Sequence, residues 1–159
     1  VIPVNQDKKP LVPWKKYQAV VASENEVSDC VKKYPKANIG IVTGKLSNIV
    51  VIDIDDPEKA LPVMETLIPD SLAFPISKTP RGGMHWLFKC PESIITNTVN
   101  PFIGADFRGE GGYIVAPPST NGNGKAWEWQ LSASIFDVFM PSLPDAYLLY
   151  NNNAFSLQT

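Results

Sequence analysis

Asn48-Ile49-Val50-Val51-Ile52-Asp53-Ile54-Asp55-Asp56-Pro57 is the stretch on which the fold turns. Its short, β-branched, apolar run predicts a buried strand. Side chains alternate along a strand, so Asp53 and Asp55 leave on one face while Ile52 and Ile54 leave on the other. Two carboxylates side by side in a poorly solvated place repel unless a cation or a donor network compensates. A hard divalent ion is one compensator, because Mg²⁺ takes oxygen ligands and pairs one or two carboxylates with substrate phosphates. The plainer alternative makes one acid a helix cap and leaves the other solvated. Asp56-Pro57-Glu58 has the form of an N-cap followed by proline at the first helical position. That accounts for Asp56 but not for Asp53 and Asp55, whose metal and solvated readings both stay open on this stretch alone.

Upstream, Asn38-Ile39-Gly40-Ile41-Val42-Thr43-Gly44 predicts a strand, and Lys45 to Asn48 turns the chain back, so the pair reads as a hairpin with the Asp53 strand. Ser23 to Tyr34 predicts a helix: Ser23 and Glu26 have capping-box spacing, Val27, Cys30, Val31 and Tyr34 form an apolar stripe, and Pro35 ends it. Val1 to Val12, broken by Pro3 and Pro10, suits an edge strand and a turn. Trp14 among lysines reads as a core anchor with extended basic neighbours.

Downstream, Asp56 to Leu67 predicts a helix that Pro62 kinks or divides. Ala73 to Lys78 and Met84 to Lys89 predict strands around the turn Thr79-Pro80-Arg81-Gly82-Gly83. Alternation puts His85, Leu87 and Lys89 on one face, with Met84, Trp86 and Phe88 on the other. His85 is the sole histidine. The glycines before it let backbone amides approach an anion, and Lys78 and Arg81 carry matching charge. Ser93 to Gly104 has no period and reads as a loop. Ala105 to Arg108 puts Asp106 and Arg108 on one face, where pairing between them alone is sterically poor unless both reach toward something else. Tyr113 to Ala116 predicts a strand, Asn121 to Gly124 a hairpin turn, and Trp127 to Trp129 a strand with both indoles on one face. Ser132 to Phe139 reads as a turn or short helix. Asp145 to Tyr150 is helical, and 151–159 forms a polar tail.

The 159 residues suit a single domain, 1–159, with its motifs within about 1–150. No apolar run approaches the roughly 20 residues of a membrane span, and no basic-then-apolar leader opens the chain, which points to a cytoplasmic protein without a membrane partner. Cys30 and Cys90 stand apart without a Cys-x-x-Cys pair, so no zinc site or disulfide framework is indicated. A net charge of -2 and a pI near 5.4 argue against a broad nucleic-acid-coating surface. The lysines nevertheless crowd the first quarter, and Lys32, Lys33 and Lys36 are candidates for following a template backbone.

Taken in order, these pieces resemble the bifunctional primase–polymerase (Prim-Pol) domain of the archaeo-eukaryotic primase superfamily, found in plasmid, phage and prophage replication proteins. The resemblance spans about Val1 to Tyr150. It rests on Asn38 to Gly44, Val51-Ile-Asp-Ile-Asp55, Thr79-Pro-Arg-Gly-Gly-Met-His85, Ala105-Asp-Phe-Arg-Gly-Glu-Gly-Gly-Tyr113, Ala116-Pro-Pro-Ser119 and Trp127 to Trp129. It implies an α+β fold: a mainly antiparallel sheet with an RNA-recognition-like half carrying the acids, joined to an N-terminal αβ unit. It implies that Asp53, Asp55 and Asp106 hold two Mg²⁺ or Mn²⁺ ions and that His85 contacts the triphosphate of an NTP or dNTP. Lys78, Arg81, Gly82, Gly83 and Arg108 join it as further nucleotide ligands. DNA template and primer are the implied partners, with C-terminal helical and helicase domains in longer relatives. The family's second motif is often Ser-x-His, and Gly83 stands at the serine position; some relatives have Asp-x-Glu where this chain has Asp53-x-Asp55. The implied activity is template-directed nucleotidyl transfer by a DNA primase/polymerase. A metal-dependent phosphodiesterase or nuclease, using water as nucleophile, is the enzymatic alternative. An inactive nucleotide- or nucleic-acid-binding module is the third.

Overall fold

The chain's structure, a computed structural model, describes residues 1–93, 96–99 and 103–156. In chain order its elements are β1 (Ile2–Val4), α1 (Glu24–Lys33), β2 (Asn38–Val42), β3 (Val50–Ile54), α2 (Pro57–Leu67), β4 (Ile76–Lys78), β5 (Met84–Phe88), β6 (Ala105–Arg108), β7 (Tyr113–Ala116), β8 (Glu128–Trp129) and α3 (Asp145–Ser156). A 3-10 turn covers Lys15–Gln18. The result is an α+β fold with two antiparallel sheets, one ordered β6-β3-β5-β4-β8 and the other β1-β2-β7.

The apolar run at β3 lies in the middle of the larger sheet. Val50, Ile52 and Ile54 point to one face and meet Trp86, Phe88, Ala105 and Phe107 from β5 and β6. Helices α2 and α3 cover that face with Ala60, Met64 and Tyr147. Phe88 and Phe107 are among the largest fully buried side chains, each contributing on the order of 1.5–3 kcal/mol by leaving water. Across the sheet Val51 and Leu87 pack on Ile114 of β7, so the smaller sheet covers only part of the second face. The uncovered part is where the odd-numbered acid of β3 emerges.

The capping box predicted at α1 forms, with Ser23 and Glu26 exchanging hydrogen bonds. Glu26 also receives the Lys16 ammonium at 2.6 Å, and this hydrogen bond, with that from the Ser23 amide, holds its carboxyl at about 2. Asp56 caps α2 through the Lys59 amide.

Four expectations need correction. β2 and β3 are not a hairpin pair: β2 pairs with β1 and β7, whereas β3 pairs with β5 and β6. Only Gly44 and Ile49 bridge at the turn, which hands the chain from one sheet to the other. Pro62 lies inside α2 without dividing it, since a proline there removes one backbone donor while both flanking turns pack on the sheet. The final helix runs on through Ser156, with Asn151 buried; 157–159 of the expected tail lie outside the described residues, as do 94, 95 and 100–102 of the expected loop. The expected strand with both indoles on one face is corrected too: β8 holds only Glu128 and Trp129, Trp127 packs with Val4, Val42 and Val115, and Trp129 packs beside Val51 and Leu87. Cys30 and Cys90 are free and half-buried. Among the described residues no helix is long and apolar enough to cross a membrane.

Candidate active site

Strand register assembles the site. Asp53 faces Asp106 across the β3–β6 pair and His85 across the β3–β5 pair. His85 in turn faces Ser77 across β4–β5. Directly opposed residues share a face, so Asp106, Asp53, His85 and Ser77 form one row across four strands. Asp55 lies just past the end of β3. Its amide and that of Asp56 both donate to the Gly104 carbonyl, at 3.0 and 2.9 Å. Gly104 holds φ +68°, and a side chain there would run into Asp56, so this tight approach fits glycine.

One oxygen from each of Asp53, Asp55 and Asp106 lies within 4.8 Å of the others. Arg108 reaches into the same cluster. Its Nη2 donates to Asp106 Oδ2 at 2.9 Å and sits 3.0 Å from Asp53 Oδ2, which its Nε also approaches at 3.1 Å. The neighbouring pair that looked sterically poor in the sequence forms because both residues converge on Asp53. His85 Nε2 is 3.4 Å from Asp53 Oδ1. Both oxygens of Asp53 therefore face cationic or donor groups.

The three acids are electrostatically unequal. Burial pushes the Asp53 carboxyl up, but the His85 hydrogen bond, then the charges of His85 and Arg108, outweigh it and hold it below the ordinary value. The Arg108 contribution persists at every accessible pH, because a guanidinium does not lose its proton. Asp55 is raised, first by burial and then by repulsion from Asp53 and Asp106, with Lys8 and Arg108 opposing. A raised carboxyl means that ionised Asp55 weakens the metal-free fold above its folded pKa. Asp55→Asn is therefore expected to raise Tm at pH 7 by roughly 1–2 °C after screening by solvent, an advantage that fades as pH falls and wild-type Asp55 takes up its proton. Scanning calorimetry at pH 7 and pH 3 checks it; a lower Tm at pH 7 would contradict the repulsion.

The donor set fits a hard divalent cation. It is all oxygen, carries three carboxylates against one permanent guanidinium, and offers no thiolate for zinc. Asp53, Asp55 and Asp106 would hold such a cation, and both oxygens of Asp53 already face His85 or Arg108. That the cluster is drawn from β3 and β6 in one register, beside a histidine from β5, is the arrangement on which the family question turns. Residues 1–146 match the family model described as "Bifunctional DNA primase/polymerase, N-terminal". The chain belongs to the Prim-Pol family. No curated protein matches it. A Prim-Pol domain works on DNA and nucleotides, and the acidic triad of this one can hold a metal ion.

Around the triad, the Prim-Pol domain keeps some of the predicted nucleotide ligands and sets others apart. Arg81 joins Asp53, Asp55, Thr79 and His85 around a cavity of about 310 Å³. Arg108 joins Asp53 and His85 around an adjacent one of about 260 Å³. Lys78 does not join them: it opposes Met84, so alternation sends it to the other face from Ser77 and His85. With Gly82 and Gly83 it lines a separate open groove of about 680 Å³. The two glycine amides are also committed inside the turn, Gly82 to the Thr79 carbonyl and Gly83 to Thr79 Oγ1. They are therefore not free backbone donors for an anion. Gly83 instead permits close packing, because a Cβ there would strike the Ile54 carbonyl.

Three further residues lie in or beside the site: Ser77, Asn97 and Lys8. Among the described residues, Ser77 has a buried hydroxyl oxygen without a hydrogen-bond partner, directly opposite His85, whose buried Nδ1 likewise finds none among them. Asn97 holds the Gly109 amide and lines the smaller cavity. Lys8 lines both cavities. Alternation along β4 points to Ser77 once His85 is placed; neither Asn97 nor Lys8 has a local signal, since each reaches the site from a loop.

Proposed function

We propose that this Prim-Pol domain catalyses template-directed nucleotidyl transfer from an NTP or dNTP to a primer 3′-hydroxyl. A bond forms between O3′ and the α-phosphorus, the bond from that phosphorus to the β-phosphate oxygen breaks, pyrophosphate leaves, and the hydroxyl proton passes to solvent. What supports this reading is the convergence of Asp53, Asp55 and Asp106 beside His85 in a chain of this family. Asp53, Asp55 and Asp106 are the ligands for Mg²⁺ or Mn²⁺. Bound there, a pair of such ions supplies Lewis-acid activation of the hydroxyl and neutralises charge on the leaving group.

The remaining residues act on the nucleotide. Arg81, at the mouth of the larger cavity, offers a forked donor to phosphate oxygens. His85 lies between Asp53 and Ser77 and contacts the triphosphate. Arg108 pairs with Asp53 and Asp106, and were a metal held by those acids its guanidinium would be available to a phosphate.

The test uses a primed DNA template with Mn²⁺, following labelled nucleotide into the strand and, separately, labelled strand into fragments. Incorporation that depends on the templating base is the expected result. Cleavage without incorporation would replace the reading with a phosphodiesterase, and neither product, together with no Mn²⁺ binding by calorimetry, would leave an inactive binding module.

A further inference from the structure

Lys8 is held in place with unusual care for a loop lysine. Its φ is +65°, the left-handed region that costs a residue with a side chain about 1 kcal/mol or more. Surrounding hydrogen bonds keep it there. The Asn5 carbonyl accepts from the Lys8 amide at 3.0 Å, and the Asn5 amide donates to the Lys9 carbonyl at 2.8 Å. Asn5 Oδ1 accepts from the Asp7 and Lys9 amides at 3.0 and 2.8 Å, and the Tyr113 hydroxyl donates to the Lys8 carbonyl at 2.8 Å. The ammonium stands 5.7 Å over the Trp127 ring, itself packed between β1, β2 and β7.

The side chain so placed borders both cavities at the acidic centre. Among the described residues, no carboxylate is within ion-pair distance of its Nζ, although its charge is felt at Asp55. The cation thus borders the cavities that Asp53, Asp55 and His85 line without pairing with a carboxylate there. A polyanion drawn to those cavities would need a counter-charge beyond the acids, and Lys8 is a cation lining both. The cavities are of small-molecule size, whereas a duplex backbone lies along an open surface.

We propose that Lys8 binds the triphosphate of the incoming nucleotide, closing from the N-terminal unit a site whose other ligands come from the larger sheet. This deepens the nucleotidyl-transfer reading and rests on it. Binding the nucleotide ties the Asn5–Lys9 loop to β3 and β6, so the smaller sheet becomes part of the active site and not only its cover.

The test compares wild type with Lys8→Gly, Lys8→Arg and the neighbour Lys9→Ala, by calorimetry with dATP, with inorganic tripolyphosphate and with deoxyadenosine, all with Mn²⁺. Glycine accepts a φ of +65°, so Lys8→Gly removes the ammonium while easing the backbone; the relieved strain offsets glycine's extra unfolded-state entropy and the lost contact with Trp127, and its Tm should stay near that of wild type. Loss of a charge-assisted contact should weaken dATP and tripolyphosphate about 10- to 100-fold, with deoxyadenosine and Mn²⁺ alone unaffected. KM for nucleotide should rise by the same factor with kcat nearly unchanged, Lys8→Arg should recover most of the affinity, and Lys9→Ala should match wild type. If dATP binds Lys8→Gly within twofold of wild type, or if DNA affinity falls instead of nucleotide affinity, Lys8 does not hold the triphosphate and nucleotidyl transfer stands without it. If wild type binds neither dATP nor tripolyphosphate, both readings fall together.

Discussion

On the proposed nucleotidyl transfer, Asp53→Asn is expected to cut labelled-nucleotide incorporation by about a thousandfold or more, since losing the charge of a proposed metal ligand would forfeit several kcal/mol of transition-state stabilisation. Asparagine keeps the size and one oxygen, so the loss is one of charge. The same substitution destabilises the fold at pH 7, because both Asp53 oxygens serve hydrogen-bonded or charged partners. The sign follows from its lowered carboxyl: the ionised form is favoured in the fold, so its contribution is fully present above the unfolded value of 3.8 and is lost as pH falls through the folded one. Hydrogen bonds to a charged group suggest roughly 1.5–3 kcal/mol at neutral pH. Asp53→Asn and Asp55→Asn, two residues apart at and just past the end of β3, are thus expected to move Tm in opposite directions while both impair the proposed transfer. Parallel melting curves and primer-extension rates check the pair; equal shifts of the same sign would show that the triad's charges are not partnered as described.

Phe107→Ala is expected to lower stability by about 3–5 kcal/mol, on the order of 10 °C in Tm. Phe107 is almost fully buried, opposes Ile52 in the β3–β6 register, and stacks 5.8 Å from the Tyr147 ring of α3. Truncation would open a cavity where sheet and helix meet. It would also loosen the strand that carries Asp106 and Arg108 on either side, so incorporation at 37 °C should fall with folded fraction and recover on cooling. Chemical denaturation read by tryptophan fluorescence measures the loss, and a change under 1 kcal/mol would mean that β6 is not packed as described.

Period-two alternation carried most of the site in the sequence. It put Asp53 opposite the core face of β3, His85 opposite the core face of β5, and Asp106 beside Arg108, and strand pairing then brought them into one row. What alternation cannot convey is which strands pair. The β2–β3 turn has all the local chemistry of a hairpin, yet β2 finds its partner 70-odd positions on in β7, through contacts no short window contains. Lys78 was misplaced for a related reason: proximity in sequence to the glycine turn suggested a shared site, whereas its strand position sends it to the other face. Lys8 was invisible because a left-handed residue in an irregular loop obeys no period. Asn151, Asn152 and Asn153 are weak helix formers, so helix propensity does not foretell the continuation of α3 through them; of the three only Asn151 is buried.

The place of β3 has a consequence for synthesis on the ribosome. Both of its neighbours, β5 and β6, are encoded after it, so Val50-Val51-Ile52 emerges long before either edge can be satisfied. Unpaired apolar strands of this kind are templates for intermolecular association. Asp53 and Asp55 interrupt the run with charge at the point where it would otherwise be most adhesive. Two aspartates of the acidic triad are therefore also expected to limit self-association of the nascent polypeptide, and their replacement by apolar residues should cost soluble yield.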